Sequence, residues 1–233
     1  AASIISITRL RRAGELGVPL YRQGVDWDAY SSNGRMVLQF NERVLDLPLP
    51  ALHGQYQIDN AGLAGAAFLA IYGDSLDDET LATGVASAQW PARMQPLTRG
   101  PFSAQIRAAG GEVWIDGGHN AHAAQALSRA LEQMKMRRGG TNVAIVGLRK
   151  RKDALSFIAA IAAGAEHIIA VPLAEDHVSV HEIAALGDKL GREVATAPSL
   201  AAAMQNAAQL PAPRVLICGS FLLAAEALAA ESV

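Results

Sequence analysis

"EVWIDGGHNAHAAQALSRALEQMKMRRGG", residues 112–140, is the stretch on which the fold turns. An apolar run ends at Asp116, two glycines follow, and His119 and Asn120 precede a segment of helical period. Ala124, Leu127, Leu131 and Met134 are spaced three, four and three, which puts them on one face of a helix. Asn120 suits the N-cap, where its side chain can accept an orphan opening N–H. Lys135, Arg137 and Arg138 suit the negative end of the helix dipole, and Gly139-Gly140 ends it. The stretch reads as strand, turn, helix. A buried strand requires none of Asp116, Gly117, Gly118, His119 and Asn120, so the turn is a binding-site candidate. Helix-opening N–H groups attract anions, glycines let a ligand approach the backbone, and a histidine adds a donor or a proton. Turn chemistry alone is the competing explanation, because Asp, Gly and Asn are common in turns.

The strand-then-helix unit repeats to the end of the chain. "NVAIVGL" (142–148), "HIIAVPL" (167–173), "REVATA" (192–197) and "RVLICG" (214–219) read as strands. The segments from Asp153 to Ala163, 179–190, Ser199 to Gln209 and Ser220 to Ala230 read as the helices after them. Strands this uniformly apolar are covered on both faces, and helices between them imply parallel pairing. The expected class is α/β, a doubly wound, mostly parallel sheet. Ligands collect beyond the carboxyl ends of such strands, where Asp116 to His119 and Gly219-Ser220 lie.

The first half differs. "VPLYRQG", "RMVLQF" and "ERVLDLPL" within 17–50 are short runs broken by Gly, Pro and Asn, which suits small β hairpins. Residues 54–73 read as an Ala-rich buried helix and 77–89 as another. "QWPARMQPLTRGP" (89–101) holds three prolines and a glycine, so a linker is expected there, with the domain boundary near 99.

Composition narrows the function classes. Hydrophobic residues make up 51% and charged residues 18% of 233, which excludes disorder and allows one large or two small domains. A net charge of −2 argues against nucleic acid as a partner. No apolar run reaches the roughly 18 to 20 residues of a membrane span, and no signal-peptide pattern opens the chain, so a cytoplasmic protein is expected. Cys218, the single cysteine, stands in an apolar run and reads as a buried thiol.

Other chemistries fit less well. Around Ser220 the chain reads "CGSFL", without the G-x-S-x-G of a nucleophile elbow. Asp116 and His119, three apart in one turn, do not make the end-to-end arrangement of a triad. No G-x-G-x-x-G follows a strand. His177 and His181 stand four apart but lack a third metal ligand. Arg93, on the linker, can reach a phosphate.

Taken together, "LPLPALHGQYQIDNAGLAGAA" (47–67), "WPARMQ" (90–95), "VWIDGGHNAHAA" (113–124), "AIVGLRKRKD" (144–153) and "VLICGSFLLAAEAL" (215–228) resemble one family. It is the bifunctional dihydrofolate synthase/folylpolyglutamate synthase family, a relative of the Mur ligases. The stretches run in the family's order through essentially the whole chain.

The resemblance implies an ATP-dependent amide ligase: a carboxylate of dihydropteroate or a folate is phosphorylated to an acyl phosphate, which the amine of L-glutamate attacks. It implies Asn60 at the adenine, Arg93 at the nucleotide phosphates, Asp116 on the nucleotide, His119 toward the γ-phosphate and incoming amine, and Ser220 on the glutamate side. It also implies a Rossmann-like C-terminal domain over 99–233, preceded over 1–98 by the tail of a Mur-type central ATP-binding domain. The cofactors implied are ATP and Mg²⁺, the partners small molecules alone, and the state a monomer. Among the departures, Gly118 and Ala121 stand where the family commonly has Ala and Pro, and "LRKRKD" replaces an acidic pattern. None of the four lysines (135, 150, 152 and 189) is followed by Ser or Thr, so no G-x-x-x-x-G-K-[ST] phosphate loop exists in these residues. The Mg²⁺ ligands are therefore expected outside them, and the chain is expected to be a fragment that is inactive alone. Another Mur-type ligase, or a non-catalytic nucleotide-binding module, remain the alternatives.

Overall fold

The computed structural model describes residues 4–150 and 153–232. The chain divides into two compact units, one of residues 1–51 and 55–88, the other of residues 52–54 and 89–233.

The first unit opens with helix α1 (Ile4–Leu16) and then forms an antiparallel sheet of β1 (Trp27–Ser32), β2 (Arg35–Phe40) and β3 (Arg43–Leu47). Asn33 and Gly34 both take positive φ between β1 and β2, the tight turn that matches the twist of a hairpin. Trp27, Ala29, Met36, Leu38, Phe40, Leu45 and Leu47 alternate onto one buried face. Helix α2 (Tyr56–Tyr72) lies on that face. It approaches through Gly62 and Gly65, where a Cβ would come within 2.3 Å of Ala29 and 2.6 Å of Leu38. Helix α3 (Asp78–Ser87) follows, capped by Asp77, whose carboxylate accepts the Thr80 N–H at 2.7 Å. Leu63, Phe68, Ile71 and Tyr72 leave an exposed apolar face on α2.

The second unit contains β4 (Gln95–Leu97), α4 (Pro101–Ala108), β5 (Glu112–Ile115), α5 (Ala121–Arg138), β6 (Thr141–Val146), α6 (Ala154–Gly164) and β7 (His167–Ala170). It continues with α7 (Val180–Lys189), β8 (Val194–Thr196), α8 (Leu200–Ala207), β9 (Pro213–Cys218) and α9 (Phe221–Glu231). The sheet order is β4-β5-β9-β6-β7-β8, parallel except for the antiparallel β4–β5 pair. Val143, Ile145, Val215 and Ile217 point toward α4, α8 and α9, where Ile106, Met204 and Leu223 complete a core. The alternate residues Ala144, Leu216 and Ile168 are buried too, on the side of α5, α6 and α7, which pack in sequence. This is the expected doubly wound sheet.

Three features differ from the expectation. "VPLYRQG" holds only the bridge from Gln23 to Trp27, and the first strand starts at Trp27. Helices α1 and α4 were not expected. Residues 89–98, expected on the near side of the domain boundary, cluster with the second unit because β4 pairs with β5. Prolines at 91 and 96 resemble linker chemistry, yet an edge strand tolerates a missing donor.

Two buried polar arrangements tie the second unit together. Arg214, 3% exposed, donates to Glu112 at 2.6 Å and to the Asn142 side chain at 3.0 Å. The Asn142 amide in turn donates to the carbonyls of Leu131 and Gly164. The Glu231 carboxylate accepts the backbone N–H of Gly100 at 2.9 Å and of Ser103 at 2.8 Å, capping α4 from the far end of the unit.

Candidate functional site

Three loops meet at the carboxyl ends of β5 and β9. The first follows β5 (residues 116–120), the second follows β9 (residues 219–220), and the third is the 90–94 turn ahead of β4. Antiparallel pairing of Gln95 with Ile115 brings that turn beside the end of β5. Helix α5 leaves for one face of the sheet and α9 for the other, so both helices open at the crevice where ligands gather in such folds.

Asp116 organises all of it. It is 3% exposed; Oδ2 accepts the Met94 N–H at 2.8 Å and Oδ1 the Gly118 N–H at 2.7 Å. The Asp116 N–H donates to Ile217, and Gly219 donates to the Gly118 carbonyl, both at 2.9 Å, which extends the β5–β9 ladder into the loops. Gly219 has φ +99, and a Cβ there would come within 2.7 Å of the Gly147 carbonyl, so glycine is required. Burial, and then the Asp116 charge, push the neighbouring Cys218 thiol far up, keeping it protonated.

Arg93 sits on a strained turn. Ala92 and Met94 on either side have φ of 56° and 40°, a region that costs non-glycine residues about 1–2 kcal/mol each. Both flanks are buried. The turn is held by Gly117 N–H to the Ala92 carbonyl at 2.8 Å, Ala92 N–H to the Gln95 side chain at 3.0 Å, and the Asp116–Met94 bond. The Arg93 guanidinium lies over the Phe221 ring at 5.0 Å.

His119 is half-buried, and its Nδ1 donates to the Gly117 carbonyl at 3.0 Å, which leaves Nε2 for another partner. Its ring stands 5.7 Å from Phe221. Asn120 caps α5 by accepting the Ala123 N–H at 2.9 Å. Ser220 caps α9 by accepting the Leu222 N–H at 3.0 Å and is 3% exposed.

The structure thus gathers Arg93, Asp116, His119 and Ser220 in the second unit. Asn60 belongs to the first, exposed on α2, its side-chain amide donating to Gln57 at 3.0 Å. Gln57 is itself buried, and its Nε2 has no hydrogen-bond partner among the described residues. Sequence reading passed over Gln57, Gln95 and Phe221. For Gln57 the available signal was a polar residue one turn before Asn60 in an otherwise Ala-rich helix.

Other candidates resolve without a ligand. His177 contacts the Glu175 carbonyl and His181 is exposed on α7. No group of three His, Cys, Asp or Glu among the described residues could hold a metal ion. In the basic loop, Arg149 pairs with Glu175 and Lys150 with Asp176, while residues 151 and 152 lie outside the described residues. A cavity of about 680 Å³ opens at the amino ends of β7 and β8, lined by Glu166, His167, Arg192, Glu193 and Asn206 among others. It lies at the end of the sheet opposite the loops above and mixes charges of both signs. No helix among the described residues is long and apolar enough to cross a membrane.

Comparison with known proteins matches this geometry to a family. A search of curated proteins finds no match. Among solved structures, the chain is similar to Escherichia coli FolC in complex with ADP, with 26% identity and a TM-score of 0.75 over 95% of this chain and 50% of that one. It is similar to a bifunctional folylpolyglutamate synthase/dihydrofolate synthase from Yersinia pestis, complexed with AMPPNP and Mn, with 28% identity and a TM-score of 0.78 over 98% and 51%. A structure of a bifunctional folylpolyglutamate synthase/dihydrofolate synthase with Mn, AMPPNP and L-glutamate bound matches with 29% identity and a TM-score of 0.78 over 98% and 51%. The chain spans about half the length of these relatives. Residues 102–221, more than half of the chain, match the Mur ligase, glutamate ligase domain. The chain belongs to the Mur ligase family, through its glutamate ligase domain.

Proposed function

We propose that this chain forms part of an ATP-dependent ligase that adds L-glutamate to dihydropteroate, a folate, or both. The observation that carries the reading is the convergence of Arg93, His119 and the openings of α5 and α9 at the carboxyl ends of β5 and β9. Backbone donors, an arginine and a histidine gathered there suit a group on which negative charge accumulates. In the reaction a carboxylate oxygen of the acceptor attacks the γ-phosphorus of ATP, and ADP leaves with the bond electrons. The glutamate amine then attacks the acyl carbon and phosphate departs. The similar structures that hold ADP, an ATP analogue with Mn, and L-glutamate support the same substrates here.

Arg93 contacts the nucleotide phosphates, His119 Nε2 faces the transferring phosphoryl group, and Asn60 takes the adenine. Asp116 serves the nucleotide side mainly through the turn it holds, since both its oxygens already accept backbone N–H groups. Ser220 sits toward the glutamate side at the opening of α9. The family partner Mg²⁺ finds no ready ligand cluster among the described residues. On this reading the second unit carries the glutamate ligase domain and the first belongs to the ATP-binding domain, with the expected boundary at 99 moved to about 89. The enzyme works in the cytoplasm as a monomer on small molecules.

The test is an assay of the full-length gene product for glutamate-dependent phosphate release from ATP, with dihydropteroate and then a folate as acceptor. Turnover with either supports the reading. Turnover with neither, but with a peptidoglycan precursor, would assign another Mur-type ligase.

A further inference from the structure

We propose that Phe221 is a positioning residue whose ring holds the Arg93 guanidinium and borders His119, so that both groups meet one anionic ligand. The inference rests on the reading of these loops as a phosphate site.

The Arg93 backbone has no freedom to follow a ligand. Its two left-handed neighbours are buried and tied at Ala92 N, Ala92 O and Met94 N. Only the side chain can adjust, and an unsupported arginine loses much rotamer freedom when it is captured. A surface on which the side chain already rests removes part of that loss before binding. The choice of surface matters. A carboxylate would occupy the N–H fork of the guanidinium, whereas an aromatic face attracts the cation and leaves all five N–H donors for a phosphate. Arg93 has no ion pair or hydrogen bond from its side chain among the described residues, and Phe221 is what it rests on.

The ring itself is held in place. Phe221 is the first residue of α9, directly after the Ser220 cap, and remains 43% exposed. It lies flush on the Gly117 backbone, where a Cβ would come within 2.3 Å of two ring carbons. Gly117 therefore serves as the seat of the ring. The same Gly117 supplies the carbonyl that fixes His119 Nδ1 and the N–H that fixes the Arg93 turn. Three groups are thus registered on one glycine. His119 meets the ring at 5.7 Å with planes at 59°, which limits its swing without consuming Nε2.

The test titrates inorganic pyrophosphate into the 233-residue chain, followed by NMR of the Arg93 Nε and His119 ring signals. Phe221→Leu keeps the bulk and loses the π face, and should weaken binding roughly 2- to 5-fold, the range for an exposed cation–π contact. Phe221→Tyr should bind as tightly as the wild type. In an Arg93→Ala background, Phe221→Leu should cost nothing further, because it acts through the arginine. Equal losses in both backgrounds, or no loss in either, overturn the proposal. If Phe221→Leu does not fold, Phe221→Met makes the same comparison. A wild-type chain that does not bind pyrophosphate, or binding unaffected by Arg93→Ala, overturns the phosphate-site reading and this inference with it. Binding weakened by Arg93→Ala but not by Phe221→Leu overturns this inference alone.

Discussion

The carboxylate of Asp116 accepts the backbone N–H of Met94 at 2.8 Å, across 22 residues of chain. A strand end thereby holds a turn whose own conformation is unfavourable. Removing the acid leaves two buried N–H groups without their acceptor, so Asp116→Ala should lower stability by about 3 kcal/mol. The released turn would also let Arg93 wander and weaken phosphate binding. Urea unfolding beside a pyrophosphate titration checks both. A variant that loses affinity with unchanged stability would point instead to direct ligand contact.

His119→Ala, made in the full-length enzyme, should lower kcat on the order of 100-fold while changing the KM for ATP little. Its Nε2 is the nitrogen left over after Nδ1 is fixed on Gly117, so it is set to meet a charge that develops late. Steady-state kinetics decide; a variant with wild-type kcat removes His119 from the mechanism.

The 233-residue chain alone should bind Mg-ATP weakly and add no glutamate. The lysine-bearing loop that usually cradles the β- and γ-phosphates has no counterpart among its four lysines. Isothermal titration is the measurement, and low-micromolar affinity would contradict this.

At the other end of the sheet, Arg214→Ala should cost about 3–5 kcal/mol, because Glu112 and Asn142 lose a buried partner. Arg214→Lys should recover part of that, since a point charge cannot reproduce both contacts of the fork. Unchanged unfolding midpoints for the alanine variant would show that the network is dispensable.

The pH dependence has a definite sign. Lys135 beside Glu166, helped by the Asn142 N–H, holds that carboxyl below its ordinary value of 4.5. A lowered folded pKa means the contribution is present above pH 4.5 and lost as pH falls through the folded value. Glu166→Gln should therefore flatten the acid limb of a stability profile below pH 4.5. Parallel profiles for the two proteins would rule this out.

Most of the second unit was legible because its signals are local. The Ala124, Leu127 and Leu131 stripe, the Asn120, Asp153, Ser179 and Ser199 caps and the Gly139 stop all lie within a turn of the element they shape. The site was legible in part for the same reason: Asp116, His119 and Asn120 belong to one turn. What escaped depends on contacts distant in sequence. Helix α4 takes its cap from Glu231, and β4 exists through β5, so "QWPARMQPL" alone reads as a linker. Phe221 gains its meaning from Gly117 and Arg93, more than 100 residues away. In the first unit, the strand at Trp27 was hidden because "WDAYSS" is mostly polar and half of it faces solvent.

The Glu231 cap orders events during synthesis. Helix α4 has eight residues, too few to persist in water unsupported, and while the Gly100 N–H has the local Ser103 hydroxyl, the Ser103 N–H waits for an acid 128 positions later. The ribosome delivers α4 well before its acceptor. The helix must therefore fray on the growing polypeptide and settle only after α9 has docked, so that an earlier segment of this domain is completed by a later one.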